Sequence, residues 1–165
     1  MKRFTYLLIM ILSLSISAGV TSCGQDEDLQ EQPVTNPNPD PGTNPPAAGN
    51  KGNIKVGSTI FTLTFYDNAT ADAFKSLLPM SINMFELNSN EKYYNLSNSL
   101  PTNASTHGTI QNGDLMLYGS STLVLFYKTF SSTYTYTRIG HLDNPSGLEA
   151  ALGAGSIFIT FEMAE

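Results

Sequence analysis

The chain is poor in the residues that most often carry redox, metal or cofactor chemistry. Its 165 residues include one cysteine, two histidines and no tryptophan. A disulfide framework needs at least two cysteines, and a zinc site usually needs several Cys or His ligands at short spacing. The chain has only eight lysines and arginines and a net charge of −6, so it lacks the basic surface that nucleic-acid binding requires. We therefore predict no disulfide, no metal, no cofactor and no nucleic-acid partner.

The N-terminal 22 residues have the pattern of a processing signal. Lys2 and Arg3 give a positive start, and the apolar run that follows is too short to span a bilayer comfortably. Val20-Thr-Ser-Cys23 then resembles a bacterial lipobox, in which the cysteine is acylated and becomes the first residue of the mature protein. We expect a lipoprotein signal peptide over residues 1–22 and a lipid anchor on Cys23 that makes the membrane a partner. The alternative is a plain cleaved secretory signal with an incidental cysteine.

Residues 23–53 have the composition of a linker. Gly24-Gln-Asp-Glu-Asp28 resembles the export signal that follows the acylated cysteine in Bacteroidetes surface lipoproteins, although a solvated acidic tail has the same composition. Six prolines lie between positions 33 and 46 without an apolar period. Such a segment buries too little apolar surface to fold by itself. We expect a Pro/Asn-rich disordered linker that holds a domain off the outer membrane in the cell envelope, either on the periplasmic side or on the surface.

Residues 54–165 are long enough for one domain with its own core. Gly57-Ser58 suits a two-residue hairpin turn, and Phe61, Leu63 and Phe65 alternate with threonines at the strand period. Further strands are predicted at residues 80–87, 92–96, 114–118, 122–128, 133–139 and 157–163.

Two short helices are predicted between these strands. Residues 68–78 switch to the helical period before Pro79. Residues 145–152 follow Asn144, which can cap a helix, and precede Gly153, which suits a helix end. Many short strands with two helices predict a mainly β fold, a closed or nearly closed β-barrel whose ends the helices cover.

Several segments of this domain carry a family resemblance through their order and spacing. They are Tyr66-Asp-Asn-Ala-Thr-Ala71, Leu77-Leu-Pro79, Gly113-Asp-Leu115 with Tyr118, Leu123-Val-Leu-Phe-Tyr127 with Phe130, Ile139-Gly-His-Leu-Asp143, and Ser146-Gly-Leu-Glu-Ala150. Together they make residues 54–165 resemble the small bacterial cyclophilin-like domain. That family has a β-barrel with two capping helices, so the resemblance implies the same fold as the strand and helix patterns.

The resemblance also implies a possible activity, peptidyl-prolyl isomerisation. In true cyclophilins a Phe-His-Arg strand motif early in the domain supplies an arginine that stabilises the twisted amide of the transition state. This chain has no Phe-His-Arg, and the domain's one arginine, Arg138, lies late, within Thr135-Tyr-Thr-Arg-Ile-Gly140. The sequence therefore favours a non-catalytic binding or accessory module. The alternative is an envelope isomerase that uses Arg138 or His107 in place of the missing arginine.

Aromatic side chains provide the predicted binding surface. Tyr134, Tyr136 and Arg138 fall on one face of a predicted strand. Neighbouring segments add Tyr118, Tyr127 and Phe130. Tyrosines with an arginine suit a peptide, a glycan or an envelope protein as the ligand. The alternative is that these aromatic rings fill the interior and rim of the barrel.

His107 and Asp114 lie in a polar stretch that contains several glycines. We predict a loop over residues 102–112, with His107 as a candidate binding residue, and a turn at Gly113-Asp114 in which the carboxylate accepts backbone N–H groups. A metal site made of His107, Asp114, His141 and Asp143 would require these side chains to converge in space, because the sequence has no metal-binding spacing.

Overall fold

The computed structural model describes residues 50–165, so the predicted signal peptide, Cys23 and the linker up to residue 49 lie outside the described part. The strands are β1 (Lys51–Val56), β2 (Thr59–Phe65), β3 (Met80–Leu87), β4 (Glu91–Asn95), β5 (Ser105–Ile110), β6 (Asp114–Tyr118), β7 (Thr122–Phe126), β8 (Phe130–Leu142) and β9 (Ile157–Met163). The helices are α1 (Ala69–Lys75) and α2 (Leu148–Leu152). The predicted mainly β fold with two short helices is confirmed.

Eight of these strands close into a ring. Hydrogen-bonded neighbours follow the order β2, β1, β9, β3, β4, β7, β6 and β8, and all the pairings are antiparallel. Leu63, Thr64 and Phe65 of β2 pair with Leu142, His141 and Gly140 of β8 and complete the barrel. In residues 50–165, β5 pairs with β8 alone and lies outside the ring. The predicted closed barrel is therefore present, with one additional strand beside it.

The first hairpin forms where the sequence predicts it, and the first helix begins there but ends at Lys75, three residues before the predicted end. Val56 lies opposite Thr59 across the Gly57-Ser58 turn, and Gly57 has a φ of +57°. The side-chain oxygen of Asn68 accepts a hydrogen bond of 2.9 Å from the backbone N–H of Ala71, which caps the N-terminus of α1. Phe74 of this helix is fully buried in the barrel core. Helix α1 therefore packs into the barrel, as the sequence predicts for a capping helix.

The second helix begins later than predicted. Asn144 does not cap it: its side-chain oxygen accepts from the backbone N–H of Ser146 at 3.0 Å and stabilises a turn instead. Gly147 precedes the helix in the left-handed region, with a φ of +82°. The five-residue helix buries Leu148 and Leu152, one turn apart, and Gly153 ends it as predicted, with a φ of +57°. Among residues 50–165, no helix has the length and apolar character needed to cross a bilayer.

The predicted loop over residues 102–112 is wrong in part, because residues 105–110 form strand β5. The side chains of this strand are mostly exposed on both faces, so the sequence shows no alternating pattern. Its register against β8 shifts between Thr106 and Gly108, which leaves His107 at a bulge. Backbone pairing with β8 holds the strand, and β8 itself extends beyond the predicted 133–139 at both ends. Strand β1 also begins at Lys51, three residues before the predicted domain boundary.

Candidate functional site

Strand β8 takes part in two different pairings. Its first half, Phe130 to Tyr136, pairs with β5, whereas residues from Thr137 to His141 pair with β6 in the barrel wall. The strand pair formed by β5 and the first half of β8 is called the ribbon below. Ile110 and Tyr136 of the ribbon are buried in a second apolar cluster, separate from the barrel core.

The second cluster lies on the outer face of the barrel. In β6 and β7, four leucines belong to the interior core: Leu115, Leu117, Leu123 and Leu125. The residues between them in sequence, Met116 and Val124, belong to the second cluster together with Phe126. Because successive side chains of a strand point to opposite faces, the ribbon packs over the outside of the barrel wall.

A groove of about 390 Å³ lies between the ribbon and strand β4. Its lining residues are Leu87, Asn88, Asn90, Glu91, Tyr93, Asn95, Tyr118, Thr122, Val124, Phe130, Tyr134 and Tyr136. Four of them are tyrosines and one is a phenylalanine, so we call it the aromatic groove. Concave sites with apolar walls and a few polar groups are typical ligand sites in proteins.

The aromatic walls of the groove combine a fixed floor with an accessible rim. Tyr136 is 6% exposed, and its ring meets Phe126 edge to face at a centroid distance of 5.4 Å. Tyr118 and Tyr134 are 47% and 64% exposed, and their rings are nearly perpendicular, with centroids 6.2 Å apart. Tyr118 also lies 5.6 Å from Tyr136. Exposed rings beside a buried one offer stacking surface without a large ordering cost.

One end of the groove carries a buried carboxyl group. Glu91 is 7% exposed, and among the described residues it forms no ion pair. Burial, together with the negative charge of Glu86, raises the pKa of Glu91, while a side-chain hydrogen bond from Asn88 partly opposes the rise. Burial also raises the pKa of Tyr136 to about 12, and the charge of Glu91 adds to that rise.

Asn90 adds a second acceptor to the same lining. Its side-chain oxygen is buried and has no hydrogen-bond partner among the described residues. Buried polar atoms are nearly always paired in proteins, so this unpaired oxygen is an exception within the described residues.

Four of the seven predicted binding residues meet in the aromatic groove: Tyr118, Phe130, Tyr134 and Tyr136. Arg138 is not among the lining residues. Its guanidinium carbon lies 5.6 Å from the centroid of the Tyr66 ring, and its backbone oxygen accepts from Asn68. The strand period placed Arg138 beside Tyr136, but β8 exchanges β5 for β6 between the two residues. The side chain of Arg138 lies beside Tyr66 and outside the groove lining.

Tyr127 is also absent from the groove, because it belongs to a network around a buried lysine. Its hydroxyl donates to Glu86 at 2.6 Å. Lys92, whose side chain is fully buried, donates to the same carboxylate at 2.6 Å and to the backbone oxygens of Gly153 and Gly155 at 2.8 and 2.7 Å. These contacts join β3 and β4 to the turn between α2 and β9, and we call them the buried lysine network.

The two histidines lie apart and outside the groove lining. His107 Nε2 is 2.9 Å from the backbone oxygen of Tyr136 and so helps to join the ribbon. His141 Nδ1 is 2.8 Å from one carboxylate oxygen of Asp114, whose other oxygen accepts from the backbone N–H of Gln111 at 2.8 Å. The predicted role of Asp114 in a turn is confirmed. Within residues 50–165, no three His, Cys, Asp or Glu side chains converge as metal ligands would.

The closed antiparallel barrel with two helices defines the structural class, and a comparison with protein families gives the family. The model of the cyclophilin-like family matches residues 54–162, so the chain belongs to that family. The solution structure of the hypothetical protein AF2241 from Archaeoglobus fulgidus is similar, with a TM-score of 0.52 and 18% identity over 69% of this chain and 94% of that one. This likeness shows the shared fold. A search of curated proteins finds no match.

Proposed function

We propose that this protein is a lipid-anchored lipoprotein of the bacterial cell envelope whose cyclophilin-like barrel is a non-catalytic binding module. The ligand is a peptide, a glycan or a segment of a partner protein that enters the aromatic groove. The observation that carries the proposal is the convergence of Tyr118, Tyr134 and Tyr136 with Phe130 on one concave surface. Stacking on tyrosine rings, with polar groups at one end, suits ligands of this kind.

Ligand binding is tested by titrating the full chain, purified in a non-ionic detergent, with a panel of capped peptides and oligosaccharides. Binding is followed by calorimetry and by backbone amide chemical shifts. We expect shifts centred on the groove and their loss in the Tyr118→Ala/Tyr134→Ala double variant. Phe158→Ala is the matched control, because Phe158 is 69% exposed and does not line the groove. Equal binding by the double variant and the wild type would place the ligand elsewhere.

The lipid anchor is tested separately in cells. We expect a labelled fatty acid to be incorporated into the wild-type protein and not into the Cys23→Ser variant, and the wild-type protein to be recovered with membranes. Protease treatment of intact cells then distinguishes surface display from a periplasmic position. A wild-type protein that takes up no label and is released from membranes by salt would contradict the anchor.

The alternative, an envelope prolyl isomerase with a relocated arginine, has less support from the geometry. Arg138 lies outside the groove that Tyr134 and Tyr136 form, so it does not meet a proline ring held between those tyrosines. A protease-coupled isomerisation assay decides the question. Saturable turnover that is lost in Arg138→Ala would replace the binding module with an enzyme.

A further inference from the structure

We infer that the aromatic groove selects a cationic side chain that carries N–H donors, a lysine or an arginine of a peptide segment, with Glu91 as its counter-ion. The inference rests on the proposed function, because it assigns the ligand class of the same groove. The lining of the groove carries a negative charge without a positive one. Glu91 is the one charged residue among the lining residues, and no lysine or arginine joins it there.

The burial of Glu91 is what requires a partner. A carboxylate removed from water is normally compensated by a cation or by several hydrogen bonds. Glu91 is 7% exposed and has no ion pair among residues 50–165. The nearest described lysine in sequence, Lys92, points to the other face of β4, where the buried lysine network engages it. The charge of Glu91 is therefore available to a ligand.

The other lining residues determine which cation fits. Tyrosine faces attract cations through their ring electrons, and four tyrosines line this groove. A quaternary ammonium group satisfies such rings and a carboxylate, but it has no hydrogen to donate. The buried carboxylate of Glu91, which forms no ion pair among residues 50–165, is best compensated by a cation that also donates hydrogen bonds. A primary ammonium or a guanidinium group provides both the charge and the N–H donors, and a neutral glycan provides only the donors.

Exposed apolar side chains beside the groove favour a cation that belongs to a peptide over a free amine. Phe85 of β3 is 48% exposed, and its ring centroid lies 6.0 Å from that of Tyr93 in the groove lining. Leu87, also of β3, is 43% exposed and lines the groove itself. The groove thus opens onto an apolar strip that a free amine would not reach and that the neighbouring side chains of a peptide would cover.

The test is a double-variant cycle between ligand and protein, with the full chain in detergent. The ligands are a capped Phe-Lys-Phe peptide and the same peptide with Nε-acetyl-lysine, which removes the charge. The proteins are the wild type, Glu91→Gln and the control Glu149→Gln, whose carboxyl group is exposed and lies outside the groove lining. Glu91→Gln removes a buried charge, so we expect it to fold. Groove amide shifts identify where each ligand binds.

We expect the wild type and Glu149→Gln to bind the lysine peptide about ten- to hundredfold more tightly than the acetylated one, as for a hydrogen-bonded charge in a buried site. In Glu91→Gln the two peptides should bind within about twofold of each other. Equal binding of both peptides to the groove of the wild type would overturn the cation inference and leave the proposed binding function standing. Displacement of the lysine peptide by tetramethylammonium as readily as by methylammonium would overturn the requirement for N–H donors. No groove binding by the lysine peptide would overturn the cation inference, and the absence of groove shifts with every peptide and oligosaccharide of the panel would overturn the proposed binding function as well.

Discussion

Replacing Lys92 with methionine tests whether the buried lysine network stabilises the barrel. The substitution keeps a side chain of similar length and removes an ammonium group that makes three hydrogen bonds, to Glu86, Gly153 and Gly155. Hydrogen bonds to charged groups contribute about 1.5–3 kcal/mol each. Full additivity would overestimate the loss, because the side chain of Glu86 is 26% exposed and the turn from 153 to 155 is exposed, so water replaces part of what is removed. We expect the free energy of unfolding to fall by about 2–4 kcal/mol.

The measurement is urea unfolding of both proteins followed by circular dichroism, with thermal unfolding as a second observable. The expected loss corresponds to a decrease of roughly 10 °C in the melting temperature of a domain this size. Lys55→Met is the matched control. Lys55 forms an ion pair of the same kind with Glu162 at 2.7 Å, but it is 41% exposed, and such surface pairs contribute about 0–1 kcal/mol. If Lys92→Met destabilises the protein no more than Lys55→Met does, the reasoning about the buried network is refuted.

Three further substitutions have defined outcomes. Burial raises the pKa of Glu86, but hydrogen bonds from Lys92 and Tyr127 outweigh it and hold this pKa below its usual 4.5. The carboxylate therefore stabilises the fold above pH 4.5, and this contribution is lost as the pH falls through the lowered pKa. Urea titrations from roughly pH 3 to 7 should therefore show a weaker acid dependence in Glu86→Gln, and an unchanged profile would contradict the assignment. The charge of Glu91 has the opposite effect on stability, because burial raises its pKa and so disfavours the carboxylate in the folded state. Glu91→Gln should therefore have a larger free energy of unfolding than the wild type at neutral pH. The difference should vanish below about pH 4.5, where the carboxyl group is protonated in both states. In Gly140→Ala the new Cβ would lie 2.9 Å from the backbone oxygen of Thr64, so we expect a loss of about 1–3 kcal/mol in urea unfolding, and a neutral result would mean that the β2–β8 seam is pliable.

Local signals predicted the elements that local interactions build. The Gly57-Ser58 turn needs only a glycine and two flanking alternating strands, and the Asn68 cap needs only the three residues that follow it. The sequence predicts too early a start for α2, because an asparagine can either cap a helix or stabilise a turn. The side chain of Asn144 stabilises a turn, by accepting from the backbone N–H of Ser146. Strand β5 was missed because all of its side chains except Ile110 are exposed or half-exposed, so its conformation depends on pairing with a distant segment.

The part of the candidate site that depends on local strand alternation was also predictable from the sequence. Tyr134 and Tyr136 are separated by one residue, and strand alternation alone places them on a common face. Arg138 continues that alternation in sequence, but its guanidinium lies beside the Tyr66 ring and outside the groove lining. The sequence does not predict Glu91 as a groove residue, because β4 carries polar or aromatic residues on both faces. Glutamate and lysine side chains are usually exposed, whereas Glu91 and Lys92 are both buried, on opposite faces of β4.

The division of apolar side chains between two faces of β6 and β7 has a consequence for how this architecture can diversify. The barrel interior is filled by one set of residues, and the residues between them, such as Met116 and Val124, belong to the outer cluster, of which Val124 lines the groove. Substitutions on the outer set change the shape of the groove without removing packing from the inner set. Natural variation can therefore reshape the groove by exchanging one face of two strands, while the other face retains the residues that specify the barrel.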